Sequence, residues 1–329
     1  MPKRALSEQL DEVVQAMLIS LPPRPEENPS RELAPLLGAA QILRDLPREE
    51  FRAALKSNLQ RRPFMNEGAA PSAKSEVHYM RPGFTSITPY IVIKGAARFI
   101  EFLKSAFEGT ERLRVPLPDG SLMHAEVAVG NGIIETADAN DQYPAAPTDI
   151  HLYVDDADAT YARAVEAGAR PIYEVADQPW GDRQGAVQDQ FGNHWYIAMV
   201  KGWTPGPEGI RTVQPYLHLH GSQRMIPFVK AAFSAEALGV ATSPEGAVLH
   251  ATIRIGNATL EIDEAHGEFQ PKPCHLHIYV PDSDAVYGQA MRAGATSMET
   301  PQDKPYGDRS AGVKDPFGNS WFIATYLGR

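Results

Sequence analysis

The stretch Gly307–Ala324, GDRSAGVKDPFGNSWFIA, decides the fold because a close copy of it, GDRQGAVQDQFGNHWYIA, stands at Gly181–Ala198. The two copies lie 126 positions apart and agree at 11 of 18 positions. Other landmarks keep the same spacing: Pro89-Tyr90 and Pro215-Tyr216, His124 and His250, and His151 and His277. A constant offset leaves no net room for insertions between these landmarks, so the chain carries two copies of one folding unit.

The composition is that of an ordinary globular protein, with 43% hydrophobic and 22% charged residues among 329. The net charge of −10 argues against a nucleic-acid or anionic-membrane partner, since both need a basic surface. The single cysteine, Cys274, excludes an intrachain disulfide framework and a cysteine-rich zinc site. The N-terminus lacks the apolar region of a signal peptide, and no apolar run is long enough for a membrane span, so a cytoplasmic location is predicted.

Each repeat shows the same order of apolar patterns twice. In the first repeat, the β-branched and aromatic run Ser86–Lys94 predicts a strand, and residues 96–107 predict an amphipathic helix. Three further strands follow near 111–117, 122–129 and 132–137. The order then starts again with a strand at 149–154, a helix at 156–167, and strands near 170–175, 184–188 and 194–200. The pattern is βαβββ twice in each repeat, which predicts an α+β fold of four modules.

The segment before the repeats has a different pattern. Apolar stripes at helical spacing predict helices at 7–21, at 31–45 and after Pro47. Two interpretations of these predicted helices stay open: they would pack on the repeats or on a second subunit, or they would form a hairpin that binds a partner. The predicted boundaries are a helical segment at 1–62, a linker at 63–83, a first domain at 84–201, a linker at 202–209 and a second domain at 210–329.

The motifs ITPY at Ile87–Tyr90, HAEV at His124–Val127 and the repeated GDR…V.D.FGN.W ending resemble those of the vicinal oxygen chelate superfamily. This is the glyoxalase/bleomycin-resistance/dioxygenase group, and the nearest branch is the PhnB-like one. The resemblance covers both repeats and leaves out the N-terminal segment. It implies two tandem glyoxalase-like domains whose modules form curled mixed sheets, each a cup for a small-molecule ligand. The two repeats would form an intramolecular pseudo-dimer. The sequence does not decide whether such chains also associate into homo-oligomers.

The resemblance also implies one divalent metal in a cup, held from the first and fourth strands of two partner modules. The implied positions are Thr88 and Gln214 (first strand), His124 and His250 (fourth strand), and His151 and His277 (first strand of the second modules). The last-strand position, usually a glutamate, falls on Ile197 and Ile323, so the carboxylate that serves as base in relatives is missing. Imidazole ligands suit Zn, Ni, Co or Fe.

Two arrangements of these ligands stay open. If modules pair between repeats, one cup combines Gln214, His250 and His151, and the other combines Thr88, His124 and His277. If each repeat closes its own cup, one cup combines Thr88, His124 and His151, and the other combines Gln214, His250 and His277. In both arrangements the histidines either hold a metal or serve as hydrogen-bonded polar lining.

Strand alternation places His124 and Glu126 on one face of a strand and Ala125 and Val127 on the other, which predicts polar cups opposite apolar helix-packing faces. The predicted ligand-binding residues are Tyr90, Tyr216, His218, Tyr153, Tyr279, Trp195, Trp321 and Arg254. The glutamates considered as bases are Glu126, Glu135 and Glu261, and no catalytic residue is assigned. The second repeat has His218 where the first has Val92, which predicts one specialised cup.

Three functions are compatible with these patterns. The first is a small-molecule binding protein of the bleomycin-resistance kind with no essential metal. The second is a metal-dependent lyase, isomerase or dioxygenase with an altered ligand set. The third is a regulatory protein whose N-terminal helices bind a partner. Whether the chain is an enzyme is left open by the sequence, because a fold does not imply a reaction.

Overall fold

The computed structural model describes residues 79–200 and 211–328. The predicted helices at 7–21, at 31–45 and after Pro47, and the predicted linkers, lie wholly or largely outside these residues. The described part consists of four consecutive βαβββ modules, which confirms the predicted α+β fold. None of its helices is both long enough and apolar enough to cross a bilayer.

The first repeat contains two of the modules. The first module is β1 (Ile87–Ile93), α1 (Ala96–Phe107), β2 (Thr110–Pro116), β3 (Leu122–Val129) and β4 (Gly132–Asp138). The second module is β5 (Asp149–Tyr153), α2 (Ala157–Glu166), β6 (Arg170–Asp177), β7 (Asp182–Gln188) and β8 (His194–Val200). Helix α2 begins as its sequence predicts, since the side chain of Asp156 accepts a hydrogen bond from the Ala159 amide.

The second repeat follows the same plan. Its first module is β9 (Val213–Leu219), a 3-10 turn (Ser222–Arg224), α3 (Met225–Phe233), β10 (Glu236–Thr242), β11 (Val248–Ile255) and β12 (Ala258–Glu264). Its second module is β13 (His275–Tyr279), α4 (Ser283–Arg292), β14 (Thr296–Asp303), β15 (Asp308–Lys314) and β16 (Ser320–Tyr326).

The modules pair between repeats, which decides the question that the sequence left open. Sheet 1 has the strand order β14-β15-β16-β13-β1-β4-β3-β2, and sheet 2 has the order β10-β11-β12-β9-β5-β8-β7-β6. Each sheet therefore joins the first module of one repeat to the second module of the other. The joints are antiparallel, with Thr88 opposite His277 in sheet 1 and Gln214 opposite His151 in sheet 2.

Sheet 1 is strongly curled. Arg81, just before β1, lies 3.5 Å (Nη1) from Glu126 Oε1 on β3 and 3.2 Å (Nε) from Asp308 Oδ1 on β15. Four strands separate β3 from β15, so in a flat sheet the two would lie about 24 Å apart. One guanidinium can reach both carboxylates only because the sheet closes into a cup.

The helices pack against each other within each repeat. Helix α1 packs on α2, and α3 packs on α4. The apolar core of the first repeat includes Phe99, Leu103 and Trp195, all fully buried, and it spans the modules that belong to different sheets. A second core of the same kind lies in the second repeat. Strand pairing thus links the repeats, while helix packing links the two modules within each repeat.

The repeated D-x-F-G-N-x-W motif forms a closed turn before the last strand of each repeat. Asp189 accepts hydrogen bonds from the amides of Phe191 and Asn193, from Asn193 Nδ2 at 2.8 Å and from Trp195 Nε1 at 3.0 Å. Gly192 has a φ of 93°, a left-handed conformation that favours glycine. Asp315 repeats this turn in the second repeat. The most similar stretch of the two repeats is therefore a structural turn.

Candidate functional site

The histidines lie on the sheet faces opposite the helices. His151 stands between Ile150 and Leu152, which are both fully buried in the helix-side core of the first repeat. Because neighbouring side chains of a strand point to opposite faces, His151 faces away from the helices. The same reasoning applies to His277 between Leu276 and Ile278. We name the two polar faces the Gln214 cup, on sheet 2, and the Thr88 cup, on sheet 1.

A histidine and a glutamate meet at the centre of the Gln214 cup. His151 Nδ1 lies 2.6 Å from Glu261 Oε2, and the Tyr153 hydroxyl donates to Glu261 Oε1 at 3.1 Å. Gln214 stands opposite His151 across the β5–β9 joint, and its Oε1 accepts from the Thr259 hydroxyl. His151 Nε2 and Gln214 Nε2 are both buried without a hydrogen-bond partner among the described residues.

A second hydrogen-bonded chain runs beside this pair. The Tyr196 hydroxyl lies 2.8 Å from His218 Nε2, and His218 Nδ1 lies 2.5 Å from Asp263 Oδ1. The Tyr216 hydroxyl donates to Asp263 Oδ2 at 3.1 Å. Tyr196, His218 and Asp263 are each 3% exposed, so a phenol, an imidazole and a carboxylate are linked in an interior where polar groups need partners.

Asp149 lies on the other side of His218. Its Oδ2 is 3.7 Å from His218 Nε2, and its Oδ1 accepts a 2.7 Å hydrogen bond from Lys272 Nζ and lies 3.3 Å from His194 Nδ1. Burial lowers the pKa of His194 to about 4, against the pull of Asp149, so this ring is neutral near pH 7. The half-buried ring of Phe269 covers the group, with ring centres 5.9 Å from Tyr196 and 5.5 Å from His218.

Two carboxyl groups in the Gln214 cup, those of Asp182 and Glu261, have shifted pKa values. Burial raises the pKa of Asp182 on β7, and the charges of His151 and His250 oppose this rise. Burial would also raise the pKa of Glu261, but the charge and hydrogen bond of His151 override it and lower the pKa. His250 lies on β11 and Asp182 on β7, so the effect of the His250 charge on the pKa of Asp182 indicates that sheet 2 curls as sheet 1 does.

The Thr88 cup has the same central pair and different surroundings. His277 Nδ1 lies 2.8 Å from Glu135 Oε2, and the Tyr90 hydroxyl lies 3.2 Å from His124 Nδ1. Thr88 occupies the position of Gln214, and its hydroxyl is buried without a hydrogen-bond partner among the described residues.

The chain itself enters the Thr88 cup through the segment 79–84, which we call the strap. Arg81 binds Glu126 and Asp308, donates to the Tyr306 carbonyl at 2.9 Å, and stacks over the Tyr306 ring at 5.4 Å. Phe84 packs edge-on against Tyr279 at 5.5 Å and against His277 at 6.4 Å. The strap therefore fills this cup with a guanidinium and an aromatic ring.

The His277–Glu135 pair predicts a pH dependence of stability. Burial would lower the pKa of His277, but the Glu135 charge raises it above the ordinary 6.5. Burial would raise the pKa of Glu135, but His277 lowers it below the ordinary 4.5, with smaller contributions from His124 and Arg81. The raised pKa of His277 contributes stability that is present below pH 6.5 and is lost as the pH rises through the pKa of His277 in the folded state. The lowered pKa of Glu135 contributes stability that is present above pH 4.5 and is lost as the pH falls through the pKa of Glu135 in the folded state.

The pair is therefore most stabilising between pH 4.5 and 6.5. We expect Glu135→Gln to lower the free energy of unfolding more at about pH 5.5 than at about pH 8.5, because the lost partner matters most while His277 is charged. Urea denaturation at the two pH values measures this difference. An equal loss at both values, or a larger loss at the higher one, would contradict the linkage.

The structure corrects the strand positions predicted for two candidate metal-binding histidines. His124 and His250 were assigned to the fourth strand, but they lie on the third, β3 and β11, and the fourth strands carry Glu135 and Glu261. His250 reaches the network through its Nδ1, 3.5 Å from the Tyr216 hydroxyl. The error came from the strand position that the resemblance implied, because residues 122–129 are already the third of the strands predicted for this module.

The last-strand positions were also assigned to the wrong face. Ile197 and Ile323 are fully buried in the helix-side cores, and the neighbours that face the cups are Tyr196 and Phe322. Neither Tyr196 nor Phe322 has a carboxylate, so the cup-facing position of the last strand carries no glutamate in either repeat. One position along a strand moves a side chain to the opposite face.

Two predicted ligand-binding residues face the helices, and a third, Arg254, shares the cup face of His250 on β11 but takes no part in the network. Trp195 and Trp321 are fully buried on the helix side, where their Nε1 atoms donate to Asp189 and Asp315. Arg254 is exposed and pairs with Glu236. The remaining ones lie on the cup faces: Tyr90 and Tyr279 in the Thr88 cup, and Tyr153, Tyr216 and His218 in the Gln214 cup.

Tyr196, Asp149, Asp263 and Lys272 take part in the Gln214 network but were not among the predicted site residues. Asp263 could have been found because it stands two positions after Glu261 on one strand and therefore shares its face. The local sequence around Lys272 carries no signal, since it lies in a loop that reaches the cup only in the fold.

A separate surface pocket of about 360 Å³ lies on the helix side of the second repeat. It is lined by Arg224, Pro227, Phe228, Ala231, Ala293, Pro316 and Phe317. This lining has one cation and neither a carboxylate nor an imidazole, so it offers less chemistry than the cups. We place the candidate site in the Gln214 cup, whose polar groups are not occupied by the strap.

Comparisons with known proteins agree with the fold. A family model described as the Glyoxalase/Bleomycin resistance protein/Dioxygenase superfamily matches residues 78–197, and a Glyoxalase-like domain model matches residues 227–324. An uncharacterised protein of Mycobacterium bovis is 40% identical in an alignment 126 residues long, and the match covers 34% of this chain and 81% of that protein. A Mycobacterium tuberculosis protein, also uncharacterised, matches at the same identity over 72% of its length.

Among solved structures, glyoxalase I from Zea mays superposes with a TM-score of 0.58 at 16% identity. The match covers 72% of this chain and 90% of that one. At this identity the likeness concerns the fold alone.

Proposed function

The chain belongs to the Glyoxalase/Bleomycin resistance protein/Dioxygenase superfamily, and we propose that its Gln214 cup binds a small organic molecule. The observation that carries the proposal is the pair of unpartnered buried atoms, His151 Nε2 and Gln214 Nε2, on opposite sides of the β5–β9 joint. Buried polar atoms are nearly always hydrogen-bonded, so two unpartnered ones at one place favour a role in binding a ligand.

The surroundings define the ligand chemistry. Rings of Tyr153, Tyr196 and Tyr216 lie around His151, with Tyr153 stacked on it at 4.2 Å and Tyr216 parallel to it at 6.1 Å. Flat apolar rings with polar ends suit a flat ligand that carries hydrogen-bonding groups. In the Thr88 cup the strap takes this place, so we propose one ligand per chain.

A binding experiment tests the proposal. We expect a panel of small phenols and aromatic aldehydes to contain ligands that bind with one site per chain, measured by calorimetry. Gln214→Ala should weaken binding at least about tenfold, the loss expected for one well-placed hydrogen bond in a buried site. Thr88→Ala is the matched control in the other cup and should change affinity little. Equal losses in both variants, or no binding across the panel, would refute the proposal.

A metal-dependent enzyme is the second candidate function, and His151 favours it. A metal-binding histidine usually donates its other ring N–H to a carboxylate, and His151 does so to Glu261 while its Nε2 is left unpartnered. His151 and Gln214 would hold the metal, with His250 near the mouth of the cup. A bound Zn, Ni, Co or Fe ion would polarise a ligand oxygen. Within the described residues, however, no group of three or more His, Cys, Asp and Glu is arranged to hold a metal.

The Thr88 cup fits a metal less well, because the strap guanidinium already supplies a positive charge beside Glu126 and Asp308. Titration with Co²⁺, followed by its visible absorption, separates the two cups. If a metal binds, we expect His151→Ala to weaken it at least about tenfold and His277→Ala to leave it unchanged. If Co²⁺ does not bind, or if only His277→Ala weakens its binding, the metal-dependent function is contradicted. The proposal that the cup binds a small organic molecule is unaffected by either result.

A further inference from the structure

We propose that Tyr196, His218 and Asp263 form a proton relay that takes up the proton of an acidic hydroxyl group, of the phenol or enol type, on the molecule bound in the Gln214 cup. The inference rests on the proposed binding function and adds both a ligand class and a chemical role. Of the three, Tyr196 is the residue that contacts the ligand hydroxyl, and His218 and Asp263 act on that hydroxyl through it.

The distances set the direction of the relay. His218 Nδ1 lies 2.5 Å from Asp263 Oδ1, so the proton of a neutral ring is on Nδ1 and Nε2 carries the lone pair. The Tyr196 hydroxyl, 2.8 Å from Nε2, therefore donates to it. The lone pairs of the Tyr196 oxygen are then directed away from His218 and can accept a hydrogen bond from a ligand hydroxyl.

Carboxylates flank the imidazole on both sides. Asp263 binds Nδ1, and Asp149 Oδ2 lies 3.7 Å from Nε2. They supply countercharge for an imidazolium that forms when His218 takes up a proton. Lys272 neutralises part of the Asp149 charge, and the Tyr216 hydroxyl fixes the second oxygen of Asp263. Burial raises the pKa of Tyr196, so its phenol stays neutral at rest and conducts a proton without ionising on its own.

The other cup shows that the fold does not need this chain of groups. At the positions equivalent to Tyr196, His218 and Asp263, the Thr88 cup has Phe322, Val92 and Ala137. All three hydrogen-bonding groups are thus replaced together by hydrocarbon, although they come from three different strands. Buried charged groups usually cost more than well-packed apolar ones, so their presence in one cup alone indicates a role beyond stability.

The position of Phe269 gives the approach of the ligand. Its ring covers both Tyr196 and His218 and lies in the loop between β12 and β13. Of the groups around the relay, Tyr196 and His218 are almost fully buried whereas Phe269 is half-buried. A flat ring that displaces Phe269 would lie against the same two rings and place its hydroxyl at the Tyr196 oxygen.

The proposed step conserves atoms and charge. The ligand O–H bond breaks and its proton goes to the Tyr196 oxygen, while the Tyr196 hydroxyl proton passes to His218 Nε2. The electron pair stays on the ligand oxygen as a phenolate or enolate, and His218 becomes an imidazolium held by Asp263. No oxidant or reductant takes part.

The phenol 4-nitrophenol tests the relay because its ionised form absorbs visible light. At a pH about one unit below the midpoint of the free probe, we expect the ratio of phenolate to phenol to be at least about ten times higher for the bound probe than for the free one, a shift of about one pKa unit. Tyr196→Phe should still bind the probe but lose this increase. His218→Val should lose it too, although the ligand hydroxyl is placed at the Tyr196 oxygen and not at His218.

Two further variants provide controls. The triple variant Tyr196→Phe, His218→Val, Asp263→Ala carries the residues of the Thr88 cup, so it should unfold at a temperature equal to or above that of the parent while losing probe ionisation. Phe322→Tyr adds a hydroxyl to the other cup, where Val92 stands at the position of His218 and the nearby His275 makes no hydrogen bond to a carboxylate among the described residues, and should ionise no probe. A bound probe with an unchanged phenolate ratio, or an ionisation that survives His218→Val, would overturn the relay. Failure of 4-nitrophenol to bind at all would instead count against the binding function on which the relay rests.

Discussion

Replacing Asp315 with alanine is expected to lower the free energy of unfolding by about 3–5 kcal/mol, because two buried side-chain donors and two amides lose their acceptor. Asp315 accepts from Asn319 Nδ2 at 2.9 Å, from Trp321 Nε1 at 3.0 Å, and from the amides of Phe317 and Asn319. Asn319 and Trp321 are 1% and 0% exposed, so water cannot replace the lost carboxylate without disrupting the core.

Urea denaturation followed by circular dichroism measures the loss. Asp315→Asn should fall between the parent and the alanine variant, because its amide oxygen can still accept while its NH₂ group opposes other donors. Asp119→Ala is the matched control, since Asp119 also caps a turn, at Ser121, but is exposed; it should cost less than about 1 kcal/mol. Similar costs for Asp315→Ala and Asp119→Ala would show that the turn is not a main determinant of stability.

Replacing Arg81 with leucine is expected to cost about 2–3 kcal/mol, the range for a charged hydrogen-bonded group whose buried partners are left unpaired. Arg81 contacts Glu126 and Asp308, whose side chains are 7% and 1% exposed. Burial already raises the pKa of Asp308, and the Arg81 charge opposes this rise. Without Arg81 the carboxyl is expected to become harder to ionise, so the loss should grow as pH rises above the ordinary carboxyl range.

The same denaturation experiment checks this prediction. Arg112→Leu is the control, because Arg112 lies near the strap and binds the Pro82 carbonyl at 3.0 Å from an exposed position. Its loss should stay within about 0.5 kcal/mol. Combining Arg81→Leu with Asp308→Asn should recover part of the loss, since no unpaired charge then stays buried. If Arg81→Leu costs no more than Arg112→Leu, the strap does not stabilise the Thr88 cup.

The local elements were largely predictable. Helix α1 was predicted at 96–107 and strand β3 at 122–129, and both have these bounds in the structure. Apolar periodicity and glycine turns determine such elements within a short stretch of chain. The duplication was equally clear, because a constant offset in the sequence requires no knowledge of contacts.

The site was predictable only in part. His151, Gln214 and His218 were named from the sequence and lie in one cup, whereas Tyr196 was missed through an error of one position on β8. The sequence also could not show that the strap fills the Thr88 cup. Arg81 lies more than 200 positions from Asp308, and nothing in the local pattern links the two.

The sequence alone determined that the chain contains two repeats, four βαβββ modules and cup faces lined by histidines, because these features depend on local periodicity and on comparison of the chain with itself. Only the tertiary structure decided that the modules pair between repeats, that His151 meets Glu261 and that His218 lies between Tyr196 and Asp263. Those contacts join strands far apart in sequence, and their register is set by the packing of whole sheets and helices. The one cup with a Tyr–His–Asp chain is therefore a property of the assembled fold.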